Sequence, residues 1–172
     1  MIKYLKLLRI EQWVKNIFVF VPLFFSGKIF EFSLFIESLF AFAVFSLTAS
    51  SIYIINDYID IEADRKHPIK RRRPLASGAI SKSVARLVFV GLLCLIAGLV
   101  CIGFCCLEHT DWRFVAIIVS YFIMNLAYTF KLKHIAIIDI SIIALGFVLR
   151  VLAGGYATGI IISQWAILLT FV

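Results

Sequence analysis

Three stretches without a single charged side chain, Ser38 to Asn56, Leu87 to Leu107 and Phe114 to Phe130, constrain this chain more than anything else in it. Each matches the roughly 17–25 residues that a helix needs to cross the hydrocarbon of a bilayer. Inside a bilayer every backbone N–H and C=O needs an internal partner, so such stretches fold as α-helices. The sequence is 63% hydrophobic with a mean hydropathy of +1.04, whereas soluble domains hold about 45–50% apolar residues. The reading is therefore all-α: a multi-pass transmembrane helical bundle forming one domain over residues 1–172. A net charge of +7 would point to nucleic acid in a soluble protein. Here it follows the positive-inside rule, and no nucleic-acid partner is expected.

Taken in order, the chain predicts five full spans and an incomplete sixth. Residues Met1 to Ile10 place Lys3, Lys6 and Arg9 at period three among apolar residues, the pattern of a helix lying in the interface. A secretory signal is excluded by the poor cleavage site at Ser26-Gly27-Lys28 and by the spans that follow. The first span covers Trp13 to Phe30, with Pro22 as a tolerated kink. Lys15 and Asn16 lie within it, close to the bilayer, and snorkelling accounts for Lys15 as well as a functional role does. The second span runs from Phe32 to Ile55. The third runs from Val84 to Leu107, capped by Ser77-Gly78 or Ser81. Its Cys94, Cys101, Cys105 and Cys106 have no His or Asp beside them and read as small hydrophobes. The fourth covers Trp112 to Phe130, with Tyr121, Asn125 and Tyr128 on one side, either lining a cavity or bonding to neighbouring helices. The fifth carries Asp139 near its start and Arg150 deep inside, and Gly154-Gly155 is expected to end it. Intramembrane ionisable groups mark function, and these two lie about 16 Å apart along a helix, too far to pair. The sixth begins near Ile160.

Chemistry concentrates at the end of the second span, in Asn56-Asp57-Tyr58-Ile59-Asp60-Ile61-Glu62-Ala63-Asp64. At about 100° per residue Asp57, Asp60 and Asp64 fall near 0°, 300° and 340° and Asn56 near 260°, so all four share one helical face. Repulsion among three carboxylates is offset most simply by a cation, and oxygen ligands suit Mg²⁺, which bridges to substrate phosphates. A solvated acidic helix end is the plainer alternative. Directly after it, Arg65 to Pro74 holds seven basic side chains with His67 counted, and Pro68 and Pro74 predict an irregular loop. Such loops also contact anionic membrane lipid. Carboxylates for a metal beside cations for phosphate oxygens make both halves of a diphosphate site. The N-terminus, the Arg65 to Arg86 loop and the Lys131 to His134 turn carry most of the basic residues, which puts the motif on the cytoplasmic side.

Asn56-Asp57-x-x-Asp60-x-x-x-Asp64 followed by Arg73-Pro74-Leu75-Ala76-Ser77-Gly78 resembles the first aspartate-rich signature of the UbiA superfamily of intramembrane prenyltransferases. Arg9-x-x-Gln12-Trp13-Val14-Lys15-Asn16, His67-Pro68-x-Lys70, Tyr128-Thr129-Phe130-Lys131-Leu132-Lys133 and Asp139 with Gly146-Phe147-x-x-Arg150 are similar to its decaprenyl-phosphate phosphoribosyltransferase branch. Ile10 departs from the Pro that relatives commonly carry after the Arg.

The resemblance implies Mg²⁺-dependent transfer of a 5-phosphoribosyl group from phosphoribosyl diphosphate to a polyprenyl phosphate at the cytoplasmic face of a bacterial inner membrane. It implies Asp57, Asp60 and Asp64 as catalytic metal ligands with Asn56 in support. Lys70, Arg71, Arg73 and Lys133 would grip phosphates, Lys15 and Asn16 would receive the lipid phosphate, and Tyr128 and Arg150 would line the cavity. The superfamily has nine spans and a second aspartate-rich motif, so the sequence is expected to be the N-terminal, truncated part of such a fold. The same scaffold could instead use a prenyl diphosphate donor with an aromatic or other lipid acceptor. A chain without the second motif could also be an inactive membrane fragment.

Overall fold

The computed structural model describes residues 2–132 and 136–171, with side chains outside 131–139. Its elements are α1 (Ile2–Leu8), a 3-10 helix (Ile10–Phe20), α2 (Val21–Phe25), α3 (Phe32–Ile59), α4 (Ile61–Lys66), a 3-10 turn (Lys70–Arg72), α5 (Lys82–Cys106), α6 (Trp112–Ala127), a π-helical turn (Tyr128–Leu132), α7 (Ala136–Thr158) and α8 (Gln164–Phe171). The all-α bundle is as expected. Among the described residues four helices are long and apolar enough to cross a membrane: Phe32–Ile59, Lys82–Cys106, Trp112–Phe130 and Ile140–Thr158.

The first expected span takes a different form. Residues 10–20 wind as a 3-10 helix and Pro22 starts α2 instead of kinking a continuous helix. Three residues per turn stack positions i and i+3, which puts Trp13, Asn16, Val19 and Pro22 on the more buried stripe while Val14, Lys15, Ile17 and Phe18 are exposed. At about 2.0 Å per residue, then about 1.5 Å in α2, the two segments rise about 30 Å, the thickness of a bilayer core.

Side-chain hydrogen bonds hold this segment to α3. Trp13 Nε1 donates to Ser50 Oγ at 3.0 Å, Asn16 Nδ2 donates to Ser46 Oγ at 2.9 Å, and Ser50 Oγ donates to the Leu8 carbonyl at 2.7 Å. Small hydroxyl residues on α3 thus let backbones approach and supply the bonds that lipid cannot. α3 is the central helix: 61% of its spanning window is buried, against 11% for α5. Its middle packs Ala41, Phe45 and Ala49 against Phe114 and Tyr121 of α6 and Leu149 and Ala153 of α7. Nearer the acidic motif, Ile54 joins Leu7 of α1, Ile61, Leu75, Ile80 and Ala85 in a second cluster. At the far end the buried Glu37 carboxylate accepts the backbone N–H groups of Glu108 and His109 at 3.2 and 3.4 Å and lies 3.0 Å from His109 Nδ1. That bond set pins the α5–α6 turn to α3.

Gly154-Gly155 does not end α7, which continues to Thr158 before Gly159 adopts φ +65°. The two glycines answer a packing demand instead. A Cβ on Gly154 would collide with the Val19 carbonyl oxygen of the 3-10 helix, and one on Gly155 would collide with Ile162. Ser81 caps α5, accepting the Val84 N–H at 3.3 Å, so the helix starts at Lys82.

Candidate functional site

The acidic stretch divides between two helices at Asp60. Asp60 ends α3 and starts α4, yet the helical backbone bonds continue through it, Asp60 N–H to the Asn56 carbonyl at 3.0 Å and Asp64 N–H to the Asp60 carbonyl at 2.8 Å. Asp57 and Asp64 are both buried, each under 4% exposed. Arg73 joins them: its Nη1 donates to Asp64 Oδ2 at 2.7 Å and to Asp57 Oδ1 at 3.3 Å. Arg9 Nη2 donates to the same Asp57 Oδ1 at 2.5 Å. Asp57 Oδ2 has no hydrogen-bond partner among the described residues. A buried polar atom left in that condition costs about 1–3 kcal/mol.

Three carboxylates closing on one ion were expected. Among the described residues no group of three or more His, Cys, Asp or Glu is gathered so, and Arg73 sits between Asp57 and Asp64. The donor set nevertheless fits Mg²⁺, which is held by one or two carboxylates plus substrate phosphates rather than by an all-protein cage. The orphaned Asp57 Oδ2 is the oxygen such an ion would satisfy.

Over Asp57 opens a cavity of about 510 Å³ whose charged walls are Lys6, Arg9, Lys70, Arg72 and Arg73 with the acids Glu11 and Asp57. The basic loop reaches it by a short-range fold. His67 Nδ1 accepts the Ile69 and Lys70 N–H groups, both at 3.2 Å, which tightens the chain after Pro68 into a 3-10 turn. Arg65 Nε donates to the Ala76 carbonyl at 3.2 Å and ties α4 to the returning arm of the loop.

A second cavity, about 160 Å³, lies among the membrane helices and includes Lys15, Tyr53, Tyr121, Tyr128, Phe147 and Arg150 in its lining. Arg150 is 6% exposed and is bonded to neutral acceptors: Asn16 Oδ1 from Nε at 2.8 Å, the Gly146 carbonyl from Nη1 at 2.7 Å and the Tyr121 hydroxyl from Nη2 at 3.2 Å. The rings of Phe45, Tyr121 and Phe147 lie 5.1–5.3 Å from its guanidinium carbon, within cation–π range. Among the described residues no carboxylate pairs with this intramembrane cation; its partners are neutral oxygens and aromatic faces. Arg9 connects the two cavities: it lines the outer one while its guanidinium stacks 4.7 Å over the ring of Tyr53, which lines the inner one.

The structure thus gathers Asp57, Lys70 and Arg73 at the outer cavity, with Asp64 behind Arg73, and Lys15, Tyr128 and Arg150 at the inner one. Asn56 Oδ1 receives the Thr129 hydroxyl, which also lies 2.8 Å from the Asn125 carbonyl, so Asn56 ties the motif to α6. Asn16 differs from its expected place. Both its polar side-chain atoms are engaged, by Ser46 and Arg150, so it orients Arg150 instead of facing the cavity. Arg71 is exposed and outside the cavity lining, where Arg72 stands in its stead. Lys133 and the Asp139 side chain lie outside the described residues. Lys6, Arg9 and Arg72 also line the outer cavity without being expected there. The basic period three of the N-terminus carries the first two, and it is equally the pattern of an interfacial helix.

Residues 17–172 match the profile of the UbiA prenyltransferase family. A decaprenyl-phosphate phosphoribosyltransferase of Corynebacterium glutamicum is 41% identical over 167 residues, 95% of this chain and 48% of that protein. Another protein of that name, from Mycolicibacterium smegmatis, is 40% identical over 169 residues, 95% and 51% of the two chains. Among solved structures, a UbiA homolog from Archaeoglobus fulgidus bound to GPP and Mg²⁺ superposes with a TM-score of 0.73 at 22% identity, covering 98% of this chain and 58% of that one. The chain spans about half the length of the curated relatives it matches.

Proposed function

The chain belongs to the UbiA prenyltransferase family, an integral membrane protein by its helices, and from that premise we propose that the protein transfers a 5-phosphoribosyl group from phosphoribosyl diphosphate to a polyprenyl phosphate. The observation that carries this reading is the pairing of two cationic cavities across Arg9. The outer one, with Lys6, Lys70, Arg72 and Arg73 around Asp57, suits a diphosphate. The inner one, with Lys15 and the buried Arg150, suits a second anion that arrives through the membrane. A transfer between two phosphorylated substrates needs both. The relatives at about 40% identity carry a name that states such an acceptor.

In this reading the bond from the anomeric carbon to the diphosphate oxygen breaks, its electron pair leaves with diphosphate, and a lipid phosphate oxygen forms the new bond to that carbon. An ionised phosphate needs no general base. The work left to the protein is positioning and charge: Arg73, Lys70 and Arg72 hold the departing diphosphate, and Arg150 and Lys15 hold the attacking phosphate. Mg²⁺ would be held by Asp57 and Asp64 with Asp60 beside them, and would neutralise charge developing on the leaving group. The basic N-terminus and loops support a reading in which this chemistry faces the cytoplasm at a bacterial inner membrane.

A second reading rests on the three tyrosines of the inner cavity, Tyr53, Tyr121 and Tyr128. Aromatic faces also stabilise an allylic cation, which a prenyl diphosphate donor would generate beside an aromatic or other lipid acceptor. Membranes holding the protein are incubated with Mg²⁺ and a polyprenyl phosphate, with label on either phosphoribosyl diphosphate or a prenyl diphosphate. Ribosyl label entering the lipid phase is the expected result. Entry from the prenyl donor alone establishes the second reading, and entry from neither establishes a non-catalytic chain.

A further inference from the structure

We propose that the crevice between the end of α3 and the start of α5 binds one anionic glycerophospholipid, with an acyl chain in an apolar slot and the phosphate on Arg86 and Tyr58. This lipid lies on a different face of α3 from Asp57, and its binding does not depend on which group the transfer site moves.

The slot has a volume of about 170 Å³ and is lined by Ile54, Ile55 and Tyr58 of α3 and by Ala85, Arg86 and Phe89 of α5. At about 100° per residue the three α3 residues fall near 60°, 160° and 100° when Asp57 is set at 0°, so the slot flanks α3 away from the carboxylate. Its described walls come from α3 and α5 alone, and α5 is the most exposed of the four spanning helices. The two ends of the slot differ in chemistry. Arg86 and Tyr58 stand at the end nearer the acidic motif, and Ile54, Ile55 and Phe89 lie about a turn deeper. Leu93, 38% exposed, continues the same face of α5 about 10 Å below Arg86. A polar mouth above an apolar wall matches a lipid headgroup above the start of its chain.

The mouth carries positive charge without an acid. Arg86 Nη2 donates to Ser83 Oγ at 3.4 Å, and among the described residues no carboxylate pairs with it. Lys82, one turn earlier on the same face, is exposed and likewise in no ion pair among the described residues. The Tyr58 hydroxyl has no hydrogen-bond partner among them either. A guanidinium fork and a phenolic O–H suit the free oxygens of a phosphodiester. The surplus of two cations favours a headgroup of net negative charge over a zwitterionic one.

Occupancy reaches the rest of the fold through shared side chains. Ile54 and Ala85 line the slot and also belong to the cluster that packs Leu7 of α1 and Leu75 and Ile80 of the basic loop. A chain in the slot therefore packs against the residues that seat α1 and the loop, and a ligand bound only by the folded state stabilises it by mass action.

The test uses the full-length protein in detergent, delipidated and then titrated with phosphatidylglycerol or phosphatidylcholine of identical acyl chains. Native mass spectrometry reads bound lipid, and thermal melts read stability. Phosphatidylglycerol is expected to bind about fivefold or more tighter than phosphatidylcholine and to raise the thermal midpoint further. Arg86→Gln should lose most of that preference, and Arg86→Lys, which keeps the charge without the fork, should retain part of it. Ile55→Trp fills the slot with the cations intact and should weaken phosphatidylglycerol binding. Arg113→Gln removes a cation from the opposite end of the bundle and should change nothing. None of these measurements involves transfer, so they stand apart from the donor and acceptor assignments above. The Arg86 variants decide the matter if Ile55→Trp does not fold. Equal affinity for the two lipids, a preference that survives Arg86→Gln, binding unaltered in folded Ile55→Trp, or an equal loss in Arg113→Gln overturns the site.

Discussion

Arg150 Nε donates to Asn16 Oδ1 at 2.8 Å, a bond between residues 134 positions apart that joins α7 to the 3-10 helix inside the membrane. Asn16 passes the constraint on through Nδ2 to Ser46 of α3. Buried Arg150 of the inner cavity is therefore aimed by a neutral amide gripped from two sides. Asn16→Leu keeps the branched outline of the side chain and removes both bonds. It is expected to destabilise the protein by about 1–3 kcal/mol, the cost of leaving buried partners unpaired, and to raise the KM for polyprenyl phosphate more than it lowers kcat. An unchanged KM would show that Arg150 keeps its aim without the amide.

Arg150→Met keeps much of the apolar stem and deletes the charge. If Arg150 receives the lipid phosphate, kcat/KM for the acceptor should fall about 100-fold or more, which by transition-state arithmetic is about 2.7 kcal/mol or more. The KM for the donor should stay within about twofold, a factor worth roughly 0.4 kcal/mol. Steady-state kinetics with each substrate varied separately makes the distinction, and equal losses for both substrates would reduce Arg150 to a structural role.

Asp57→Asn conserves shape and removes one charge from beneath Arg9 and Arg73. Transfer activity is expected to drop by at least about 100-fold. Stability should fall by about 1–3 kcal/mol, less than the roughly 3–5 of a fully buried broken pair, because both guanidiniums keep contact with water. Activity assays alongside thermal melts in detergent separate the two effects. Unchanged turnover would remove the carboxylate from the chemistry.

Much of this was legible in the chain, for physical reasons that can be named. Absence of charge over the length of a bilayer marks a spanning helix almost regardless of tertiary context, which is why α3, α5 and α6 fall where expected. The acidic motif and its basic loop are adjacent in sequence, so their meeting through Asp64 and Arg73, nine residues apart, follows from local geometry. The failures are non-local or ambiguous in period. Trp13, Asn16, Val19 and Pro22 repeat every three residues, a pattern that an α-helical reading absorbs as scatter. Gly154-Gly155 reads as a stop, while its cause is a backbone from another part of the chain pressed against it. The pairing of Arg9 with Asp57 spans 48 residues and left no mark in local spacing.

Chelation provides a test that needs no substitution. Because Arg9 and Arg73 already serve as counter-ions to Asp57 and Asp64, divalent cations are not required to hold these carboxylates in a buried place. EDTA is therefore expected to abolish transfer while leaving the thermal midpoint nearly unchanged, and added Mg²⁺ should restore activity. A midpoint that falls by several degrees on chelation would assign the metal a structural role.

Gly154 offers a test of the first span itself. A methyl group there would occupy the position of the Val19 carbonyl oxygen, and neither backbone has room to yield, since Asn16 and Pro22 fix the 3-10 helix on both sides of it. Gly154→Ala is thus expected to destabilise the protein by about 1–3 kcal/mol as overpacking does, despite the better helix propensity of alanine. Gly98, on the outward face of α5, meets nothing within 4 Å. Gly98→Ala should therefore leave stability equal or raise it by up to about 1 kcal/mol. Thermal melts of the two variants side by side read the difference directly. If Gly154→Ala melts with Gly98→Ala, the 3-10 helix does not press on α7, and the close approach that aims Asn16 at Arg150 is lost with it.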